Sequence, residues 1–280
     1  MISAPKLPLP KKITLKRSLR KKAMTIGIGF VCDKGIVLCS DSQVTAGGMK
    51  YYEAKISFPA QDRKNAVAGF AYAGNTNLMR SFEGKFKSAM NLVPKPHTVA
   101  KVHDVIETIL LMMDTIDTDP DGLHMLCAIV AQSEFKLYKT ERKIVSEVLR
   151  YDCIGVGDSS VLRYLLPKVS YTHVYRTNQA LKLAAYLVFV AKQYIDGCGG
   201  DTTLFFLTAD GGIMHFQSEI KTLEESIKRI DTRLLFTGAA FFNNQYSAEA
   251  FITSTKKLLE TLENEREVLN KTLGFNDEII

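Results

Sequence analysis

The segment between residues 25 and 47 constrains the fold of this chain more than any other part of it. Two apolar runs rich in β-branched residues surround the tripeptide Asp33-Lys34-Gly35, which is typical of a tight turn between strands. A polar loop follows the second run, and the next extended run contains Lys55. The pattern predicts a β-hairpin over residues 25–40, with its polar end at one edge of a sheet.

Thr25 opens the first run, and a threonine in that position suggests a nucleophile. A threonine hydroxyl is a poor nucleophile until a base takes its proton. A free α-amine has an unperturbed pKa of about 7.7–8.0, so it suits that task at neutral pH. The nitrogen of an internal threonine is an amide and cannot do this. We therefore expect catalysis by Thr25 only where the chain begins at that residue.

Asp41 and Lys55 have the side chains that such a nucleophile needs. A lysine ammonium near the α-amine lowers the pKa of that amine by repulsion between like charges. An aspartate beside the lysine would keep it charged and oriented. Taken singly, Thr25 could be the first residue of an ordinary strand. Asp41 could be a turn residue, and Lys55 could be a solvent-exposed lysine on a strand. The hypothesis depends on the whole arrangement.

Four segments together match the pattern of a known family. They are Thr-Ile-Gly-Ile from residue 25, Asp-Lys-Gly-Ile-Val-Leu from residue 33, Ser-Asp-Ser-Gln-Val-Thr-Ala-Gly from residue 40 and Glu-Ala-Lys-Ile from residue 53. This pattern resembles proteasome-type N-terminal-nucleophile (Ntn) hydrolases. It is most similar to proteasome β-type subunits and to the bacterial dodecameric peptidase that works with an ATP-driven unfoldase. Weaker similarity continues to about residue 216.

The pattern of elements predicts an α+β fold, and the resemblance implies that it is a four-layer αββα sandwich, with the Ntn hydrolase domain over residues 25–217. A basic leader over residues 1–24 precedes this domain. An extra helical extension over residues 218–280, predicted from its apolar periodicity, is more than most family members carry. The site residues that the resemblance implies are Thr25, Asp41, Lys55 and Asp196 for catalysis, the backbone of Ala73 or Gly74 for the oxyanion hole, and Thr45 and Gly47 for substrate binding. An oxyanion hole requires donors aimed at developing charge rather than a particular side chain.

Two positions depart from the family pattern. Family members usually carry a serine within the Gly-x-Gly at residues 155–157, where this chain has Val156. They usually carry another serine shortly after the second aspartate, where this chain has Gly199 beside Cys198. These serines order water and the amine around the nucleophile. Their absence implies lower activity, changed chemistry or no activity.

The function implied by the resemblance is a cytoplasmic threonine endopeptidase that acts on unfolded polypeptides. Its implied partners are further copies of itself in a ring and an ATP-dependent unfoldase. Two alternatives remain open: a catalytically inactive subunit with the same fold, and an Ntn amidase acting on a small molecule. We expect no metal and no cofactor, because the five histidines and five cysteines are scattered without ligand spacing.

The basic charge of the chain is confined to its first 24 residues. They carry eight Lys or Arg and no Asp or Glu, so the net charge of +6 becomes −2 for the remainder. A general nucleic-acid-binding surface is therefore not indicated. A membrane partner is not indicated either, because no uninterrupted apolar run approaches the ~18 residues needed to span a bilayer. The leader has three interpretations: an upstream stretch with translation starting at Met24, a propeptide cut after Met24, or a basic targeting or binding arm.

Periodicity predicts the remaining elements. One strand is predicted over residues 50–58, and two helices are predicted between residues 76 and 116. In the extension, two helical stripes surround an aromatic run at residues 236–246, which we interpret as a turn with an apolar plug. Glu265 is predicted on the outer face of the second helix. The simpler interpretation of the extension is a helical hairpin that covers part of the domain. The alternative is that it forms a contact with another subunit or partner.

Overall fold

The computed structural model describes most of the chain from Thr25 onward. The described residues are 25–46, 49–113, 116, 122–155, 166, 174–243 and 245–273. Within them lie the strands β1 Ile26–Cys32, β2 Gly35–Asp41, β3 Gln43–Ala46, β4 Met49–Tyr52, β5 Ile56–Asp62, β6 Ala66–Gly74, β7 Leu123–Ala131, β8 Glu134–Glu141, β9 Ile144–Val148, β10 Tyr151–Gly155, β11 Thr202–Thr208 and β12 Ile213–His215. The helices there are α1 Thr76–Leu92, α2 Val99–Leu111, α3 Thr177–Tyr194, α4 Glu219–Phe242 and α5 Ala248–Leu273.

Two five-stranded antiparallel sheets lie at the centre of the fold. The first has the strand order β10-β1-β2-β11-β12 and the second has the order β5-β6-β7-β8-β9, while β3 and β4 form a separate ribbon. The ladder between β1 and β2 closes at the pair Cys32 and Gly35, which confirms the predicted hairpin. Because β1 and β2 run antiparallel, the start of β1 and the end of β2 meet at the same edge. Thr25 and Asp41 are thereby brought together.

The sheets pack face to face, and helices cover both outer faces. α1 and α2 pack on the second sheet, whereas α3 and the first turns of α4 pack on the first sheet. The predicted four-layer αββα sandwich is confirmed. The residues buried between the two sheets are Ile36, Leu38, Ile56, Val67, Ala71, Ala73, Leu126, Ala128, Val130, Leu137, Val148, Ile154 and Leu207.

The region predicted as one strand over residues 50–58 is two strands, so that prediction is wrong. β4 pairs with β3 outside the sandwich, whereas β5 joins the second sheet. Residues 53–55 form the break between them. Lys55 lies in this break and is turned inward, with only 1% of its surface exposed. An ammonium is buried only where hydrogen-bond acceptors surround it. The irregular backbone of residues 53–55 lets the Lys55 side chain turn toward such acceptors, which a regular strand would not allow.

The carboxyl-terminal extension is helical as predicted, but its aromatic run is not a plug. α4 continues through that run to Phe242, and only residues 243–247 connect it to α5. Phe236, Phe241 and Phe242 are exposed. The run contains no proline, and a single Gly238 is tolerated inside a helix. The connection between the two helices is therefore shorter than the sequence suggested. Among the described helices, none has the length and apolarity needed to cross a bilayer.

Glu265 was predicted on the outer face of α5 and is buried instead. Its carboxylate accepts hydrogen bonds from Nε and Nη2 of Arg229 on α4. The hydrogen bonds from Arg229 lower the pKa of Glu265. The pair joins the two helices of the extension at a buried position, where an unpaired carboxylate would be costly.

Glu265→Gln is expected to lower the free energy of unfolding by about 1 kcal/mol, because Arg229 is half exposed and solvent screens the pair. A carboxylate whose folded pKa is depressed stabilises the protein above its unfolded pKa of about 4.3, and that contribution is lost as the pH falls through the folded pKa. The difference between wild type and variant should therefore be full near about pH 6 and shrink below about pH 4.3. Urea unfolding of both proteins, near about pH 6 and below about pH 4.3, measures this difference in the free energy of unfolding. An equal effect of Glu263→Gln, at an exposed position on α5, would contradict the assignment.

Candidate active site

Lys55 and Thr25 are in direct contact at the edge of the first sheet. The Lys55 Nζ donates to the Thr25 Oγ1 at 2.7 Å, and both side chains are buried. The same ammonium donates to Asp41 Oδ1 at 2.8 Å and to the main-chain carbonyl of Gln43. An ammonium has three N–H donors, so each one has an acceptor here.

Asp41 fixes both Lys55 and the backbone next to the nucleophile. Its Oδ1 accepts from the Ile26 main-chain N–H at 3.1 Å, in addition to Lys55. Its Oδ2 accepts from the Gly199 N–H at 3.0 Å. Burial lowers the pKa of the Lys55 ammonium, and the charge of Asp41 opposes that shift. The arrangement is a buried ion pair with most of its hydrogen-bonding capacity satisfied.

The direction of the bond between Lys55 and Thr25 restricts the chemistry. Lys55 donates to the hydroxyl oxygen, so the hydroxyl proton is left to another acceptor. An ammonium with all donors engaged cannot itself take that proton. A positive charge 2.7 Å from Oγ1 stabilises the alkoxide that forms as the proton departs. The geometry suits a threonine nucleophile whose base is supplied separately.

Gly155 packs against the backbone of Thr25 and needs to be glycine. It lies at the end of β10 with φ of +84°, and a Cβ there would be 1.9 Å from the Thr25 carbonyl oxygen. Side chains rarely adopt that backbone conformation, and the obstacle is main chain rather than a flexible group. Gly155 therefore sets how closely β10 approaches Thr25.

Gly155→Ala is expected to lower the free energy of unfolding by about 2–3 kcal/mol, since it combines a positive φ with a backbone clash. Gly84→Ala is the matched control, because Gly84 lies in α1 with no atom within 4 Å of its added Cβ. That control should be more stable than wild type by about 0.5–1 kcal/mol. Denaturant titration of the three proteins measures both. Equal stability of wild type and Gly155→Ala would contradict the close approach.

Comparison with solved structures shows which fold this chain has. No protein-family model matches the chain, and no curated protein sequence matches it. A (Gly-1) mutant of Anbu from Hyphomicrobium sp. strain MC1 has a similar structure, with a TM-score of 0.64 and 13% identity over 75% of this chain and 96% of that one. Anbu from Yersinia bercovieri, described as an ancestral beta-subunit, has a TM-score of 0.63 and 13% identity over the same shares. The chain has a proteasome-like Ntn-hydrolase fold. A likeness at this identity concerns the fold and not the reaction.

In this proteasome-like fold, the residues predicted for the oxyanion hole lie at the end of β6. The Tyr72 N–H bonds to the Lys55 carbonyl on the side of β5. Successive N–H groups of a strand point to opposite sides, so the Ala73 N–H is turned toward β7, with which Ala73 is paired. The N–H of Gly74 is turned toward the Lys55 side. Strand alternation therefore favours Gly74 over Ala73 as the donor.

The predicted substrate-binding residues are partly described. Thr45 lies on β3, and its buried Oγ1 has no hydrogen-bond partner among the described residues. An unpaired buried hydroxyl is costly, so Thr45 is suited to a further polar contact. Gly47 and Val156 lie outside the described residues.

Asp196 is not brought into contact with the nucleophile. It lies in the loop after α3, and its side chain is exposed. Asp196 makes no hydrogen bond or ion pair with Thr25, Asp41 or Lys55. The loop does reach the site through its following residues, because Gly199 binds Asp41. A catalytic role for Asp196 stays a prediction.

Cys198 is next to the site, and its environment does not favour the reactive thiolate. It is buried, and burial together with the Asp41 charge raises the pKa of its thiol to about 12. A thiol with that pKa is protonated at neutral pH and is a poor nucleophile. Cys198 is therefore a packing residue beside Asp41 and Lys55.

The side chains of His103, Asp104 and Glu107 are the one group within the described residues whose ligand atoms could converge on a metal ion, since those atoms lie within 4.8 Å of one another. They lie on α2, outside the second sheet, and Asp104 is exposed. The His103 ring also packs against that of Tyr138 in a tilted arrangement, with ring centroids 4.7 Å apart. Exposed acidic groups on one helix commonly occur without a metal, so the group indicates no cofactor.

Sequence reasoning missed Gln43. Its main-chain carbonyl accepts from Lys55, and its N–H donates to the Gly199 carbonyl at 3.0 Å. The signal was its position two residues after Asp41, at the start of the ribbon that crosses the site. The sequence does not show that main-chain groups there would serve as ligands for the buried lysine.

Proposed function

We propose that this chain is a threonine endopeptidase with a proteasome-like fold, in which Thr25 is the nucleophile once residues 1–24 are lost. The observation that carries the proposal is the buried contact of Lys55 with the Thr25 Oγ1 and with Asp41. Thr25 follows Met24 in the chain, so its nitrogen is an amide until that bond is cut. Cleavage there produces the α-amine that the site otherwise lacks as a base.

In the proposed reaction, the α-amine of Thr25 takes the hydroxyl proton as Oγ1 attacks a peptide carbonyl carbon. Lys55 stabilises the developing alkoxide, and the N–H of Gly74 donates a hydrogen bond to the oxyanion. The C–N bond then breaks, and the leaving amine takes the proton from the α-ammonium. Water attacks the resulting ester and regenerates Thr25. Thr45 and Gly47 would hold the substrate backbone in an extended conformation.

The proposed substrates are unfolded polypeptides in the cytoplasm, delivered by an ATP-dependent unfoldase. The Anbu structures support the fold on which this depends.

Self-assembly is the second part of the proposal, and the end of the extension supports it. We define the apolar tip by its exposed side chains, which are Leu234, Leu235, Phe236, Phe241, Phe242, Tyr246 and Ile252. Phe241 and Phe242 contact each other, with ring centroids 4.9 Å apart, and clustered exposed apolar side chains commonly mark interaction sites. The base of α4 packs on α3 through Leu223 and Ile227, so the tip is presented on a fixed support.

Substitution of both Phe241 and Phe242 by serine is expected to convert the assembly to smaller species, because it removes two aromatic side chains that are 65% and 83% exposed. Multi-angle light scattering measures the mass in solution against the 31.2 kDa chain. Leu92→Ser is the control, since Leu92 is 84% exposed on α1. An unchanged mass for the double variant would exclude the apolar tip as the contact.

The decisive experiment is amino-terminal sequencing and intact mass of the protein from its own host, with and without a threonine-directed epoxyketone. The proposal requires a start at Thr25 and one covalent adduct that Thr25→Ala does not form. A start at Met1 with no adduct would contradict it and leave an inactive subunit that keeps the fold. An adduct on a monomer that hydrolyses small amides but not peptides would instead establish an amidase.

A further inference from the structure

The Gln43 side chain lies where a side chain at position 199 would begin, so only glycine fits there beside it. The backbone of Gly199 does not have a positive φ, so its conformation suits other residues. A Cβ at this position would nevertheless lie 2.6 Å from Gln43 Oε1 and 3.3 Å from its Cδ. The side chain of Gln43 therefore fills the place where a residue larger than glycine at 199 would begin.

Gln43 also holds the two charged residues of the site through its main chain. Its carbonyl accepts from Lys55, and its N–H donates to the Gly199 carbonyl at 3.0 Å. Gly199 in turn donates to Asp41 Oδ2. One residue thus orients Lys55 directly and Asp41 through the loop at 199. A change in its side chain that shifts the ribbon or the loop would move both partners of Thr25.

The amide of Gln43 has unused hydrogen-bonding capacity. Gln43 is 95% buried, given a relative exposure of 5%, and its Nε2 has no hydrogen-bond partner among the described residues. A buried amide nitrogen without a partner is unfavourable, and a water bound there would satisfy it. A serine at position 199 would place a hydroxyl donor next to the position that the Gln43 amide group now occupies.

We propose that Gln43 is a positioning residue that takes the place of the serine absent at position 199. Its side chain fills the space above Gly199, its amide supplies the donor that orders water beside the nucleophile, and its main chain orients Lys55. The inference rests on the proposed function, because it concerns how Thr25 is kept reactive. It predicts that Gln43 and Gly199 are coupled, so that a serine at 199 is accepted only when residue 43 is small.

The first test is thermal unfolding of the full chain as wild type, Gln43→Ala, Gly199→Ser and the combination of both. Each single change is expected to lower Tm by several degrees, one by leaving a void and the other by a clash. The combination should unfold at a higher temperature than Gly199→Ser alone. Gly84→Ser is the control, because an added Cβ there meets nothing within 4 Å. A Tm loss in the combination equal to the sum of the single losses would overturn the coupling.

The second test is the pH dependence of epoxyketone modification in protein whose first residue has been shown to be Thr25. Gln43→Ala should slow modification about tenfold or more and shift the pH midpoint, because it removes the amide that orders water and lets the ribbon that carries the Lys55 acceptor shift. Adding Gly199→Ser should restore both rate and midpoint. Adding Gly199→Ala instead should restore Tm but not the rate, since it fills space without a hydroxyl.

The outcomes separate this inference from the proposed function. If wild type forms no adduct, the peptidase proposal fails, and the Tm comparison still decides whether Gln43 and Gly199 are coupled. If wild type reacts but Gln43→Ala keeps the same rate and midpoint, the positioning role is overturned. If adding Gly199→Ala to Gln43→Ala restores the rate, the Gln43 amide is not needed as a donor. Gln43 would then only fill space beside residue 199.

Discussion

Replacement of Lys55 by methionine is expected to slow the reaction of Thr25 with an epoxyketone by about 10²- to 10³-fold, the usual cost of removing one preorganised donor that stabilises developing charge. The ammonium lies 2.7 Å from Oγ1, and a methionine of similar length carries no charge to stabilise the alkoxide or to lower the pKa of the α-amine. The measurement is the second-order rate of adduct formation in protein that begins at Thr25.

Lys87→Met is the control for this experiment, because Lys87 is exposed on α1 and its loss leaves the site unchanged. The variant should react at the wild-type rate. A Lys55→Met protein that is folded and reacts as fast as wild type would contradict the proposed role of the lysine. Lys55→Arg is also expected to be slow, because a planar guanidinium cannot direct one donor to each of the three acceptors that surround Nζ.

The same lysine is expected to have a large effect on stability. Lys55→Met should lower the free energy of unfolding by about 3–5 kcal/mol, because it leaves the Asp41 carboxylate buried without its partner. Asp41 has no exposed surface, so water cannot compensate in place. Urea unfolding of the full chain measures the loss without any requirement for activity.

The double variant Asp41→Asn with Lys55→Met separates stability from catalysis. Removing both charges removes the desolvation cost together with the attraction, so most of the lost stability should return. The asparagine side chain can still accept from Ile26 N–H, which Asp41 does in the native protein. The rate with the epoxyketone should stay as low as that of Lys55→Met. A double variant that is as unstable as the single one would show that the ion pair stabilises the fold in its own right.

Much of the fold could be predicted from local pattern. The turn at Asp33-Lys34-Gly35 allows few alternatives, so the hairpin of β1 and β2 is found where its residues indicate. α1 begins after Asn75, whose side chain accepts from the N–H groups of Asn77 and Leu78, as helix-start chemistry requires. Such features depend on neighbours along the chain, which the sequence shows directly.

Predictions failed where long-range contacts outweighed local pattern. Residues 50–58 have the composition of one strand, but the separate partners of β4 and β5 divide it. Glu265 has the sequence neighbours of a surface residue, yet Arg229 on another helix makes its burial favourable. Periodicity describes one element at a time and contains no information on which side chain of a second element faces it.

The sequence by itself determined the hairpin of β1 and β2 and the order of Thr25, Asp41 and Lys55 along the chain, because the hairpin and the loop after it are encoded locally. Only the tertiary structure decided that Asp196 is exposed, that Gln43 and Gly199 share one space and that Lys55 has three acceptors at once. Those facts depend on where the loop after α3 meets the ribbon of β3 and β4. Residues more than 150 positions apart meet there, at distances that are set by the packing of the whole sandwich.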